Sequence, residues 1–283
     1  MGSESSVPAE AVRPAEAVLE VHNLEYAYLG RFPALHDVSL TVAHGERLAL
    51  LGANGSGKST LLKILDGLLF ADSGTFHAFG AEVTEDAVED EQFNRAFRSR
   101  VGFVFQNSDA QVFSPTVREE IAFGPLTMGL DTDSVRARVD DTIAMLDIAT
   151  LAERAPYQLS AGEKKRVAIA SVLVMNPEVL LFDEPAAGLD PRTEQWLVEL
   201  VTELSAAGKT MVLATHDLAS LELMADRCAV FSEEHTIVAT GTPKEMLADH
   251  ALLVSVNLVH DHSHLHGGEI HAHPHDAGHH RHL

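Results

Sequence analysis

The chain carries the stretch Gly52-Ala-Asn-Gly-Ser-Gly-Lys-Ser-Thr60, in which two glycines separated by four residues precede Lys58 and Ser59. This spacing is typical of a phosphate-binding loop between a strand and a helix. Residues 47–51 before it form an apolar run that predicts a buried strand, and residues 61–69 after it are apolar at helical spacing. A chance glycine-rich turn would not explain all of these features together, so we predict an α/β nucleotide-binding fold.

The chemistry of such a loop explains its residue types. Glycines let the backbone turn so that several N–H groups point at one phosphate, and the start of the helix adds a partial positive charge. The Lys58 ammonium can reach the outer phosphates, and the Ser59 hydroxyl can bind Mg²⁺. The sequence therefore predicts a site for a nucleoside triphosphate with Mg²⁺.

Polar residues follow two further predicted strands. The apolar run 179–182 ends in Asp183 and Glu184, and the run 210–214 is followed by His216. Adjacent carboxylates are costly at a strand end unless metal or water meets them. Beside a triphosphate, Asp183 can hold Mg²⁺ and Glu184 can orient or deprotonate water. A lone histidine is more often structural, but at this edge of an α/β sheet side chains face the ligand crevice.

Two other places leave alternatives open. Tyr28 closes a predicted strand ahead of the loop, where its ring either stacks on a purine base or is an ordinary strand aromatic. The stretch Leu159-Ser-Ala-Gly-Glu163 precedes a long helical run. Small residues at a helix start suit an anion, whereas the plain alternative is a capped helix.

Composition excludes some classes of function. The chain has 283 residues, 42 acidic against 20 basic, and a formal net charge of −22, which disfavours nucleic acid as a partner. Its single cysteine, Cys228, excludes an internal disulfide. No apolar run approaches the roughly 20 residues that cross a bilayer, and no signal-peptide pattern is present. We expect a soluble cytoplasmic chain that meets a membrane only through a partner.

These motifs, in this order, resemble the ATPase subunit of an ATP-binding cassette (ABC) transporter over residues of about 18–250. The resemblance implies an α/β P-loop NTPase with a RecA-like core, an antiparallel β subdomain and an α-helical signature subdomain at about 107–175. It divides the chain into a disordered lead-in at 1–16, the ATPase domain at 17–250 and a flexible tail at 251–283. ATP and Mg²⁺ are the implied cofactors.

The resemblance also assigns roles to residues. Gln106 senses Mg²⁺ and the attacking water, Asp190 lies in the loop that couples two sites, and His216 contacts the γ-phosphate. The implied catalytic residues are Glu184, His216 and Gln106, and the implied Mg²⁺ ligands are Ser59, Gln106 and Asp183. The implied nucleotide-binding residues are Tyr28 (on the adenine), Gly52, Asn54, Gly55, Gly57, Lys58, Ser59, Thr60, Ser160 and Gly162.

Ser160 and Gly162 belong to the signature loop, which by resemblance closes over ATP held by a second subunit. This chain has Ala161-Gly162-Glu163 where the commonest form is Gly-Gly-Gln, and closure should survive because a small residue is kept. The resemblance thus implies a dimer, of two copies or with a paralogue. It also implies integral membrane transporter subunits that hold the protein at the cytoplasmic face of the membrane.

A narrower resemblance concerns residues 102–130 and 159–170, which are very similar to the ATPases of energy-coupling-factor importers, especially those for cobalt and nickel. It implies an ATPase that powers uptake of one of these ions. It also places candidate residues for docking the membrane subunit at 112–117. A related vitamin importer, a soluble ABC-type ATPase for assembly or repair, and a metal buffer remain the alternatives.

The tail supplies a separate observation. Ten of the 17 histidines lie between His260 and His282, with Asp, Gly, Leu and Pro among them, which is unlike an expression tag. Alternate spacing in an extended chain lets two or three imidazoles share one ion, and imidazole suits Ni²⁺, Co²⁺, Zn²⁺ and Cu²⁺ with little selectivity among them. Neutral imidazole binds, so affinity should fall below about pH 6.5. The candidate metal ligands are His260, His262, His264, His266, His271, His273 and His275.

Overall fold

A computed structural model describes residues 17–259 and the backbone of two later stretches, 262–266 and 269–273. The predicted lead-in at 1–16 lies outside the described residues. The first sheet is antiparallel, in the order β2-β1-β4-β5. Its strands are β1 (Ala17–Tyr28), β2 (Phe32–Ala43), β4 (Ser73–Ala78) and β5 (Ala81–Glu82).

The second sheet forms the centre of the fold. Its strands are β3 (Arg47–Leu51), β6 (Val101–Val104), β7 (Val179–Asp183), β8 (Thr210–Thr215), β9 (Arg227–Phe231) and β10 (Ile237–Gly241). They are arranged in the order β10-β9-β3-β8-β7-β6. All neighbours are parallel except β10, which pairs antiparallel with β9. Apart from the edge strand β10, whose residues are half-buried or exposed, the strands are covered on both faces and almost continuously apolar, as expected for a buried parallel sheet.

The helices follow the strands in βα order. They are α1 (Lys58–Leu65), α2 (Glu85–Glu89), α3 (Glu91–Arg100), α4 (Ser108–Gln111), α5 (Val117–Thr127), α6 (Thr132–Met145), α7 (Ala161–Leu173), α8 (Pro191–Ala206), α9 (Leu221–Met224), α10 (Pro243–Ala248) and α11 (His250–Ser255), with 3₁₀ turns at Ala149–Leu151 and Pro156–Gln158. Within the described part of the chain, no helix is both long and apolar enough to span a membrane.

Two apolar clusters sandwich the central sheet. One face packs against α1 and the antiparallel sheet, with Leu61 and Val38 in the same cluster as Leu48. The other face packs against α5 to α8, with Ile121 and Val167 in the same cluster as Leu180. The helices α4 to α7 occupy the segment where the signature subdomain is predicted, between β6 and β7. This layering leaves the carboxyl ends of β3, β7 and β8 to carry the site.

The C-terminal part continues beyond residue 250, where the sequence places the end of the ATPase domain. Val256 after α11 is buried in a third cluster with Met246 and Val230, and Leu252 of α11 packs against that cluster. Further on, β11 (His262–His266) and β12 (Glu269–His273) pair as an antiparallel hairpin. Apolar spacing at 252, 253 and 256 is the sequence signal for the packed helix.

Candidate nucleotide-binding and catalytic site

Three of the sequence motifs meet at one edge of the central sheet. The strand β8 lies between β3 and β7, and Leu51 pairs with Thr215 as Asp183 pairs with Ala214. The residues that follow these strands are therefore neighbours at the carboxyl edge, where ligands bind in open α/β sheets. The geometry brings together the loop at 52–60, the two acids and His216, as the sequence predicts.

The loop at 52–60 needs its glycines. Gly57 has φ +111°, and a Cβ there would lie 2.3 Å from the Ala34 carbonyl oxygen. At Gly52 a Cβ would lie 2.7 Å from the Ser56 hydroxyl oxygen. No side chain caps the start of α1, so its first N–H groups remain available to an anion. Asn54 and Gly55 are exposed at the crown of the loop.

The Lys58 side chain is buried within the phosphate-binding loop at 52–60. Its ammonium donates to the carbonyl oxygens of Gly52 at 2.7 Å and Ala53 at 3.0 Å, and lies 3.7 Å from Glu184 Oε1. Burial lowers the pKa of Lys58, and the nearby Glu184 and Asp183 oppose that shift. A cation at the centre of the loop suits a polyphosphate.

Asp183 and Ser59 form an oxygen pair suited to Mg²⁺. The Ser59 hydroxyl donates to Asp183 Oδ1 at 2.7 Å. Asp183 is buried, and this burial raises the pKa of its carboxyl group. Within the described residues, no group of three or more His, Cys, Asp or Glu side chains is placed to hold a metal by itself. Mg²⁺ typically binds one or two protein oxygens and completes its coordination shell with phosphate oxygens and water. The oxygens of Ser59 and Asp183 match this type of coordination.

Glu184 is held in an unusual conformation. Its backbone φ is +44°, a strained region for a residue other than glycine, and such strain is concentrated at functional sites. Its side chain is almost fully buried, with Oε2 2.9 Å from His216 Nδ1. The other oxygen, Oε1, is buried without a hydrogen-bond partner. A carboxylate oxygen in this state can accept a proton from a water molecule.

Tyr28 and Gln106 approach the site from its sides. The Tyr28 hydroxyl lies 3.2 Å from Thr60 Oγ1 in the first turn of α1. Its ring packs edge-to-face on Tyr26, with 5.0 Å between centroids, and remains exposed. Tyr28 therefore sits beside the phosphate loop with part of its ring open to a base. Gln106 follows β6 and is exposed.

Ser160 and Gly162 lie at the start of α7. No hydrogen bond among the described residues joins them to the phosphate loop. Ser160 Oγ accepts from Glu163 N at 3.3 Å, and Glu163 Oε2 accepts from Ser160 N at 2.8 Å. This capping box leaves the Ser160 hydroxyl proton free to donate outward.

Gly162 and Asp190 are linked through Thr193, a contact that the sequence does not reveal. A Cβ on Gly162 would lie 2.7 Å from Thr193 Oγ1, so the absence of a side chain lets α7 pack on α8. The Thr193 hydroxyl donates to Asp190 Oδ2 at 2.7 Å. This hydrogen bond and the one from the Thr193 backbone N–H lower the pKa of Asp190. Asp190 caps α8 and fixes the loop before it.

Comparison with known proteins gives the family. The sequence model of one protein family, described as "ABC transporter", matches residues 35–187 of this chain. The chain belongs to the ABC transporter ATP-binding family. The fold, the enzyme class and the family resemblance predicted from the sequence are thus confirmed: this ABC ATPase hydrolyses ATP in a reaction coupled to transport, and it is an ATP-binding subunit of an ABC transporter.

Relatives of this ABC ATPase are similar over most of their length. It is 48% identical to a nickel import ATP-binding protein, NikO, of Rhodobacter capsulatus, over 85% of this chain and 95% of the relative. It is 41% identical to an energy-coupling factor transporter ATP-binding protein, EcfA, of Methanothermobacter thermautotrophicus, over 85% and 76%. The structure of cbiO1 of Clostridium perfringens, part of the ABC transporter complex cbiONQ, superposes with a TM-score of 0.73 at 37% identity, over 86% of this chain and 95% of that one.

Proposed function

We propose that this ABC ATPase powers an energy-coupling-factor type importer of nickel or cobalt ions, as a dimer at the cytoplasmic face of the membrane. The observation that carries the proposal is the likeness to a nickel import ATPase across almost the whole of both chains. Vitamin import by a related transporter is the second candidate, since an energy-coupling factor ATPase is also a close relative.

In the proposed mechanism, the start of α1 and the Lys58 ammonium bind the phosphates of ATP. Ser59, Asp183 and Gln106 would hold Mg²⁺, which would neutralise charge on the phosphate oxygens. Glu184 Oε1 accepts the proton of the attacking water, because among the described residues it is the buried oxygen without a hydrogen-bond partner, with the Lys58 ammonium 3.7 Å away. His216 bonds to Oε2 and so fixes the direction in which Oε1 points. Its exposed ring can also face the γ-phosphate.

A second chain is needed to complete this site. Among the described residues, Ser160 and Gly162 make no hydrogen bond to the phosphate loop of their own chain, and Ser160 is exposed. We propose that they donate to ATP bound by the partner, which stabilises charge that develops in the transition state. Tyr28 is proposed to stack on adenine, with Asn54, Gly55 and Thr60 around the phosphates.

The proposed docking surface for the membrane subunit differs from the one expected at 112–117. Val112 and Val117 are buried in the core of the helical part, so they cannot be contact residues, and that part of the prediction is wrong. Phe113 between them is 66% exposed and packs edge-to-face on the exposed Phe123, with 5.1 Å between ring centroids. Together with exposed Leu126, these rings form the docking surface that we propose.

We further propose that the tail binds Ni²⁺ or Co²⁺. The register of the hairpin pairs His262 with His273 and His264 with His271. Since alternate residues share a face of a strand, these four residues share one face of the hairpin. Only two residues, Gly267 and Gly268, separate the strands, and glycine pairs are common in two-residue hairpin loops. The remaining candidates, His260, His266 and His275, flank this set.

The tail is tested by titrating full-length protein with Ni²⁺ at pH 7.5 and 5.5. One variant replaces His262, His264, His271 and His273 with alanine, and a control replaces His279, His280 and His282, which are not among the candidate ligands. We expect tight binding at pH 7.5 that weakens at pH 5.5, is lost in the first variant and is kept in the control. Equal losses in both variants would mean that histidine number alone matters, and equal affinity at both pH values would contradict imidazole ligation.

Metal uptake by cells tests the transport proposal. Cells carry this chain with its membrane partners, either intact or as Glu184→Gln or a truncation after Val259. We expect nickel or cobalt uptake by the intact strain and none by Glu184→Gln. Vitamin uptake without metal uptake would favour the second candidate, and no membrane transport of either would favour a soluble ATPase. The truncated strain shows whether transport needs the tail.

A further inference from the structure

Lys165 lies beneath the segment that carries Gln106. Its side chain is 2% exposed, although it stands in the first turns of α7. Its ammonium donates to the carbonyl oxygen of Phe105 at 3.2 Å and to that of Gln106 at 3.0 Å. A buried ammonium is costly unless its protons are bonded. Lys165 is therefore tied to the backbone of the glutamine itself.

Other bonds fix the rest of this segment to α7. Gln111 Oε1 accepts from Phe105 N at 3.0 Å, and its amide nitrogen donates to the Ala168 carbonyl oxygen at 3.1 Å. The Lys164 ammonium donates to Asp109. These contacts hold the segment on either side, and the bond from Lys165 is the one that reaches Gln106.

We propose that Lys165 is a positioning residue for Gln106 in ATP hydrolysis. The inference rests on the proposed role of Gln106 at Mg²⁺ and the attacking water. Two anchored carbonyls fix the peptide from which the exposed glutamine side chain projects, so its amide meets the reacting groups in one orientation. Among the described residues, Lys165 makes no hydrogen bond to the phosphate loop. Replacing Lys165 should therefore slow the chemical step and leave ATP binding intact.

The chain offers a matched control in Lys209. Its ammonium donates to the carbonyl oxygens of Asn176 at 3.3 Å and Pro177 at 2.7 Å. It therefore makes the same kind of anchor to two backbone carbonyls, with one further hydrogen bond to Asn176 Oδ1 at 2.6 Å. This anchor lies before β7 and β8, at the opposite edge of the sheet from the nucleotide site. Lys209→Met removes such an anchor without touching Gln106.

The experiment is a double-mutant cycle on the purified full-length chain, with ATP affinity and kcat measured separately. Lys165→Met should lower kcat by about 10- to 100-fold, the usual cost of a misplaced catalytic group, with ATP affinity unchanged. Lys209→Met should leave both values unchanged. In a Gln106→Ala background, Lys165→Met should cause no further loss, because both changes remove one function.

Other results overturn the inference in recognisable ways. If the losses of Lys165→Met and Gln106→Ala multiply, Lys165 acts on something other than Gln106. If Gln106→Ala leaves kcat unchanged, the proposed role of Gln106 fails and the inference fails with it. Thermal unfolding of each variant checks folding. If Lys165→Met does not fold, Lys165→Gln, which keeps a neutral N–H donor, enters the same cycle, and multiplied losses again refute the proposal.

Discussion

Two helices of this ABC ATPase begin with small residues, but the two ends are built differently. At the start of α1, Gly57 brings no capping side chain, and Lys58 and Ser59 turn toward the acids after β7. At the start of α7, the side chains of Ser160 and Glu163 already satisfy backbone N–H groups. The first end is an anion site within one chain. The second offers one hydroxyl proton, and we propose that it acts on ATP bound by another chain.

The difference separates binding from gating. A chain can bind Mg²⁺ and ATP with α1 and the strand ends alone, because those groups are already in contact. We propose that it cannot hydrolyse ATP quickly until the start of α7 from a partner supplies its donor. Breaking each end in turn should therefore give distinct defects.

The largest effect is expected from Glu184→Gln at the strand end beside α1. Removing the proton acceptor should lower kcat by about 10²- to 10⁴-fold, the usual contribution of a general base. ATP affinity should be retained, since Lys58 and the start of α1 are unchanged. Rapid-mix hydrolysis and equilibrium ATP binding measure the two quantities, and unchanged hydrolysis would refute the assignment of Glu184.

A smaller effect is expected at the other end from Ser160→Ala. The hydroxyl donor is lost, while the packing of Gly162 on Thr193 is left alone, so kcat should fall by about 100-fold, the lower end of the cost of losing one transition-state donor. ATP binding by the isolated chain should not change. Weakened binding in the monomer would show that Ser160 acts within its own chain and would remove the contrast between the two ends.

The smallest effect on ATP turnover is expected from the far end of α1, where the change is one of stability. There Arg98 donates to the carbonyl oxygen and the carboxylate of Asp66. Burial raises the pKa of Asp66 to about 7, against the attraction of Arg98. The folded state then binds this proton more tightly than the unfolded state, so the contribution to stability is full below pH 3.8 and is lost as pH rises through 7.

The matched comparison for Asp66 is Asp66→Asn, which cannot titrate. Between pH 5 and pH 8 the free energy of unfolding of the natural chain should fall relative to that of Asp66→Asn, and denaturant titrations at both values measure the difference. A constant difference would mean that Asp66 stays ionised in the folded state. ATP binding at pH 7 should change little, because the start of α1 is not altered.

Much of the site near α1 could be predicted from the sequence. The residues of the loop, the two acids and His216 each follow an apolar strand, and parallel strands bring their carboxyl ends to one edge whatever the details of packing. The strained φ of Glu184 and the lack of a hydrogen bond to its Oε1 among the described residues could not be predicted. Both depend on contacts across the sheet with Ala214 and His216.

The region around α7 was harder to predict for the same physical reason. Burial of Lys165 and the contact of Gly162 with Thr193 are tertiary contacts between distant segments, and local periodicity does not encode them. The apolar residues at 112–117 gave no sign of which would face the core. Val112 and Val117 pack inward, whereas Phe113 is left outside.

The most direct test of the contrast is to mix two inactive full-length variants, Glu184→Gln and Ser160→Arg, and measure ATP hydrolysis. In a mixed dimer one site carries both defects and the other carries neither, if Ser160 acts on the partner's ATP. We predict that mixing restores hydrolysis well above the sum of the separate proteins. Hydrolysis no higher than that sum would contradict it, because Ser160 and Glu184 would then serve the same chain.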